Sequence, residues 1–250
     1  MSEGTENVGA PTIVLVHGAF ADASSWDGVI ERLQAKGLQV TAPANPLRGI
    51  AADSAYVRAV LEQIEGPVVA VGHSYGGAVI TNAAADAKNV VALVYVAAFA
   101  PDEGEMLGAV EAGSKDSVLN SALVPRHYPA NGGSATEFYI DPAKVREAFA
   151  GDLSEQETAV IAATQRPISE LAFSEPSGRP AWKDRPSWAV VATGDKAAGT
   201  DVTRSMAERA GATITELEGS HVIMVSQPQA VTDVILEAVA SVGSPAGAVA

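Results

Sequence analysis

The sequence predicts an α/β fold: a mostly parallel, doubly wound sheet of about six strands, with a helical insertion. Three observations carry that reading. Apolar β-branched runs alternate with amphipathic helical segments, the order that a doubly wound sheet requires. The runs are continuously rather than alternately apolar, which marks strands covered on both faces. The β-α rhythm also breaks at Pro101 and resumes after Pro186, and eight of the fourteen prolines lie in that interval.

Thr12-Ile13-Val14-Leu15-Val16-His17 reads as the first strand. Ser24 and Ser25 are N-cap candidates for a helix in which Trp26, Val29, Ile30 and Leu33 recur at helical spacing, and Lys36-Gly37 stops it. Leu38 to Thr41 is a short strand. Tyr56, Val57, Val60, Leu61 and Ile64 give a second helix, ended by Gly66-Pro67. Val68 to Val71 is the third strand, Ala78 to Ala87 an Ala-rich helix, and Val90 to Ala98 the fourth strand. Between Pro101 and Pro186 strand-like runs vanish, and helical pieces are expected at Pro142–Phe149 and Ser154–Thr164. Then come a strand at Trp188–Ala192, a helix at Thr200–Arg209 and a strand at Thr213–Leu217. The last helix should open on Ser226-Gln227-Pro228-Gln229, a capping box with proline in the first turn. Residues 243–250 read as a frayed tail. The expected division is a core of residues 1–100 and 187–250 with a helical cap of residues 101–186.

Composition removes several function classes. The net charge of −14 disfavours phosphate backbones and anionic membrane surfaces, so neither nucleic acid nor membrane is expected as a partner. With no cysteine, thiol catalysis, disulfides and Cys-ligated zinc are excluded. The four histidines (His17, His73, His127 and His221) form no zinc-protease pattern, so no zinc site of that kind is expected; the chemistry read from the motifs below needs no metal and no organic cofactor. The N-terminal ten residues are polar and acidic, unlike a signal peptide. No apolar run reaches the ~20 residues of a membrane span. The expectation is a cytoplasmic monomer or homodimer.

Gly72-His73-Ser74-Tyr75-Gly76 fits G-x-S-x-G, with a strand before it and a helix after it. That setting lifts a serine hydroxyl above a sheet on a tight turn, provided that its neighbours two positions away are small. Ser74 is the candidate nucleophile. An oxyanion needs donors: the backbone N–H of Tyr75 is one, and the loop after the first strand supplies the other, from Ala19 or, failing that, Phe20. The base should follow the last strand, which selects His221 over His127. Asp195 then follows its own strand and completes the order Ser, Asp, His; Asp102 remains a rival acid. His17 and His73 read as structural. Phe20, Phe138 and Tyr139 are candidate apolar walls for substrate.

Val16-His17-Gly18-Ala19-Phe20, Gly72-His73-Ser74-Tyr75-Gly76-Gly77, Ala192-Thr193-Gly194-Asp195-Lys196 and Gly219-Ser220-His221 together resemble the α/β-hydrolase superfamily. The similarity is greatest to small bacterial esterases akin to plant methylesterases and hydroxynitrile lyases. It implies a sheet lacking the first two strands of larger relatives and a helical cap between the sixth and seventh. Lyases of that group carry a lysine after the catalytic histidine and a threonine in the first loop; here Val222 and Gly18 stand at those places, which argues for hydrolysis. The expected activity is hydrolysis of a small or medium carboxylic ester through an acyl-enzyme. The same triad also serves perhydrolases, haloperoxidase-like enzymes and lactonases. A ligand sensor with little turnover is the reading from another class.

Overall fold

Six parallel strands form the frame of the molecule, and the computed structural model describes residues 9–130 and 132–243 of it. The N-terminal half runs β1 (Thr12–Val16), α1 (Asp27–Ala35), β2 (Val40–Thr41), α2 (Ile50–Glu62), β3 (Val68–His73), α3 (Tyr75–Ala83) and β4 (Val90–Val96). Next come α4 (Leu107–Ala112), β5 (Leu123–Ala130), β6 (Gly133–Ile140), α5 (Val145–Ala148), α6 (Glu155–Thr164), β7 (Ile168–Ser169) and α7 (Leu171–Ser174). The chain closes with β8 (Ser187–Ala192), α8 (Thr200–Arg209), β9 (Thr213–Leu217), α9 (Ile223–Ser226) and α10 (Pro228–Gly243).

The sheet order is β2-β1-β3-β4-β8-β9, with every neighbouring pair parallel. The continuously apolar runs are its central strands: Ile13 to Val16 and Val68 to Val71 are fully buried. Helices on both faces exclude water from them, so both faces of each strand had to be apolar. The edge strand β9 is partly exposed, as its Thr213-Ile214-Thr215-Glu216 sequence allows. From β1 the chain builds outward to β2, then returns to place β3 on the other side of β1. The loops after β1 and β3 therefore diverge, and a crevice opens at the carboxyl ends of these two strands.

The segment between β4 and β8 corrects one expectation. It is not wholly helical, because β5, β6 and β7 form an antiparallel sheet of their own. Pro125 and Pro129 lie in β5, which hid it in the sequence. β5 is an edge strand, where a missing N–H is tolerated. The helix expected from Pro142 contracts to the single turn α5, whereas α6 forms as expected with a Ser154–Glu157 capping box. The capping box expected at Ser226 does not form. Ser226 ends the turn α9, and its hydroxyl donates to Ile223 O. Pro228 does open α10. The tail expected over residues 243–250 lies outside the described residues from 244 onward, as do the first eight residues of the N-terminal segment.

Candidate active site

The turn after β3 is built from backbone contacts that admit no side chain. A Cβ on Gly76 would lie 2.3 Å from Val16 O, one on Gly72 2.5 Å from Gly76 O, and one on Gly18 2.6 Å from Ser74 Cβ. Ser74 itself sits at φ 53°, ψ −124°, a left-handed conformation that costs a residue with a side chain about 1–3 kcal/mol. Main-chain hydrogen bonds hold it there: its N–H donates to Val96 O at 3.2 Å, and its carbonyl accepts from Gly77 at 2.9 Å and Phe99 at 3.2 Å. With the backbone fixed on both sides, the hydroxyl projects into a small cavity at the sheet edge.

The ends of β8 and β9 bring the other two groups. The Gly194 N–H donates to Gly219 O at 2.9 Å and fastens the two loops together. His221 Nδ1 then meets Asp195 Oδ2 at 2.8 Å, with both residues almost fully buried. The loop Asp195-Lys196-Ala197-Ala198-Gly199 wraps its own carboxylate: the amides of Ala197 and Ala198 donate to Oδ1 at 2.8 and 3.0 Å. Asp195 thus accepts from three donors, and an imidazole whose Nδ1 faces a carboxylate carries its proton there. The His221 Nε2 and the Ser74 hydroxyl make no hydrogen bond to any described residue, and both residues line the same cavity.

The remaining histidines are committed elsewhere. His17 Nε2 accepts the Asn45 N–H at 3.0 Å while Nδ1 lies 2.9 Å from Gly18 O. Burial pushes its pKa down to about 4, so the ring is neutral and braces the first loop. His73 Nε2 donates to His221 O at 3.0 Å beneath the turn, and burial, then the neighbouring His221, holds it well below the ordinary range. His127 is exposed on β5. Asp102 pairs with Lys183 at 2.5 Å, and Asp201 accepts from Ser114 and from the Lys115 N–H.

The Ala19 and Tyr75 amides have no acceptor among the described residues, whereas the Phe20 N–H donates to Arg166 O at 3.0 Å. The sequence alone did not reveal how Tyr75 is anchored. Its hydroxyl donates at 2.8 Å to the buried Asp53, which also accepts the Arg48 and Gly49 amides. Burial raises the pKa of both groups.

The cavity has a volume of about 20 Å³. Ala19, Phe20, Ser74, Tyr75 and His221 all line it. Phe138 and Tyr139 do not, which corrects the expected walls. They lie on successive positions of β6: Phe138 packs edge-on against Phe173, which does line the cavity, and the Tyr139 ring lies under Arg126. Phe149 and Glu111 line it and were missed. Glu111 sits in a short helix and Phe149 just past another, with no periodicity to reveal which side is inward. Burial raises the Glu111 pKa, against hydrogen bonds from Ser117 and Asn120 that pull it down. Ser117 Oγ lies 2.8 Å from Glu111 Oε1 and 2.7 Å from Ala197 O. One hydroxyl has one proton, so both contacts are hydrogen bonds only when Glu111 is protonated and donates. Among the described residues no cluster of three His, Asp or Glu could hold a metal ion, and no helix is long and apolar enough to cross a membrane.

Residues 13–234 match the profile of the alpha/beta hydrolase family. A carbendazim-hydrolysing esterase of Nocardioides sp. (strain SG-4G) is 36% identical over 110 residues, which span 39% of this chain and 46% of that protein. The chain thus matches less than half the length of that curated relative. Among solved structures, a pyrethroid hydrolase from Sphingobium faniae JZ-2 superposes with a TM-score of 0.75 at 21% identity, covering 92% of this chain and 98% of that one. Polyneuridine aldehyde esterase gives 0.77 at 22% identity, covering 92% and 99%. A methylesterase from Arabidopsis gives 0.76 at 19% identity over the same shares. At these identities the three structures speak to the fold.

Proposed function

The chain belongs to the alpha/beta hydrolase family, and from that premise we propose that it hydrolyses small or medium carboxylic esters with Ser74 as nucleophile, His221 as base and Asp195 as the orienting acid. The observation that carries the reading is the buried His221–Asp195 pair, whose second ring nitrogen is free, opening on the same cavity as a conformationally strained serine. The esterase and hydrolase names of the relatives point the same way.

The chemistry follows from these groups. His221 Nε2 takes the Ser74 proton as the oxygen attacks the ester carbonyl, and the Ala19 and Tyr75 amides receive the oxyanion. Asp195 stabilises the imidazolium without accepting its proton. The C–O bond to the alcohol breaks, and the alcohol leaves with the proton from His221. Water then attacks the acyl-enzyme, giving its proton to His221, and the carboxylic acid departs as Ser74 recovers its hydrogen. Residues 1–100 and 187–250 act as the catalytic core, and residues 101–186 as the cap above it.

A fluorophosphonate probe tests the assignment. It should label one serine, mapping to Ser74 by peptide mass, and Ser74→Ala should lose both the label and aryl-ester turnover. A label on another serine, or turnover that survives in Ser74→Ala, would overturn it.

A further inference from the structure

The cavity beside Ser74 holds about one water molecule, since a site of ~10–15 Å³ suffices for one. No ester fits there as it stands. A second cavity of about 530 Å³ lies next to it, a volume within the ~300–1,000 Å³ typical of small-molecule sites. The two share two walls, Phe20 and Phe149. Those rings meet edge to face with centroids 6.1 Å apart, and the Phe149 ring is 5.1 Å from His221. Phe20 is held at φ 59°, another left-handed residue with a side chain.

The larger chamber has a distinct chemistry. Leu153, Ile161, Val222 and Val225 give it apolar walls, and Val160 of α6, 58% exposed, faces it from the cap segment. Its only charged lining residues, among those described, are Asp22 and Glu157. Burial pushes Asp22 up, but hydrogen bonds from Ser24 outweigh this and leave it below the ordinary range; Arg166, outside the lining, acts in the same direction. Glu157 is held low by Ser154. Both are therefore anions near neutral pH, in a chamber with no lysine, arginine or histidine in its described wall.

We propose that this chamber is the binding site for the apolar, uncharged portion of the ester, that the Phe20–Phe149 pair is the partition that parts to let the carbonyl reach Ser74, and that Asp22 and Glu157 turn away substrates carrying a carboxylate. The proposal rests on the esterase reading for what happens at Ser74. Its test does not need turnover. 2-Naphthol and 2-naphthoate share one ring system and differ in charge. Titrated calorimetrically into the full chain at low salt, naphthol should bind one to one, and naphthoate about tenfold more weakly, the scale of one or two partly screened like charges. Val160→Lys should narrow the difference between naphthol and naphthoate by about fivefold, because its ammonium offsets the two carboxylates. Val160→Trp should crowd the chamber from its α6 side and weaken naphthol by about tenfold or more. Val160 is largely exposed, so both variants should fold, which urea unfolding checks. Equal binding of the two ligands, no binding of either, or indifference to both Val160 changes would overturn the chamber even if Ser74 is labelled and esters are cleaved. The expected binding pattern in a protein that cleaves no ester would keep the chamber and remove the proposed hydrolysis.

Discussion

Replacing Asp195 by asparagine changes one atom and should stop the proposed reaction by reversing a tautomer. Asp195 Oδ1 accepts two amides, from Ala197 and Ala198, so an asparagine keeps its oxygen there and turns its NH₂ toward His221. The imidazole then has to accept at Nδ1, 2.8 Å away in the parent, and carry its proton on Nε2. That nitrogen can then no longer take the Ser74 proton. The opposite rotamer sets the NH₂ against two buried donors and forfeits two hydrogen bonds, at about 1–3 kcal/mol each. The expected loss in kcat is about 10⁴-fold, or ~5 kcal/mol of barrier, with KM little altered. The assay is steady-state hydrolysis of an aryl ester, with urea unfolding to show that the variant is folded. A folded Asp195→Asn protein within about tenfold of the parent rate would refute the assignment of this pair.

Three further outcomes follow from the same geometry. Gly76→Ala should destabilise the protein by about 3 kcal/mol or more in urea unfolding, because its Cβ meets the Val16 carbonyl, which cannot move aside; a change under about 1 kcal/mol would contradict the close approach. His17 contributes stability that is complete above pH 6.5, where folded and unfolded forms are both neutral, and is lost as pH falls toward its folded pKa of about 4, roughly 3 kcal/mol across that window. Unfolding measured at both ends of the window should show a smaller difference for His17→Asn. Glu111→Gln keeps a donor toward Ser117 and should match the parent's stability near neutral pH, while Glu111→Ala should lose about 1–3 kcal/mol; if Gln is as damaging as Ala, the carboxyl is not held protonated.

Much of this arrangement was legible because it depends on local backbone requirements. Gly72 and Gly76 around Ser74 announce a turn that only glycines can make, and the β-branched runs announce buried strands. Asp195 and His221 were found because each follows a strand, and strand ends in a parallel sheet meet at one edge. The cap segment was less legible. β5 carries Pro125, Arg126, His127 and Pro129, and its pairing with β6 is decided by tertiary contact, not by pattern. Phe138 and Tyr139 were chosen as walls for their chemistry alone, and residue type does not fix which face of a strand looks inward. Glu111 and Asp53 escaped because a buried carboxyl has no sequence signature; only coordinates show that Ser117 and Tyr75 satisfy them.

The contrast between the serine turn and the chamber beside it bears on how such a chain can diversify. At Gly18, Gly72 and Gly76 the obstacles are mostly main-chain atoms, which no compensating replacement nearby can remove. Around Val160, 58% exposed, the neighbour is largely open space, and a helix surface tolerates most residues there. Inherited changes in the cap segment can therefore retune which molecules are admitted while the chemistry below stays constant. A saturation library should show this as a steep gradient of tolerance, from almost none at the three glycines to nearly all side chains along the outer face of α6.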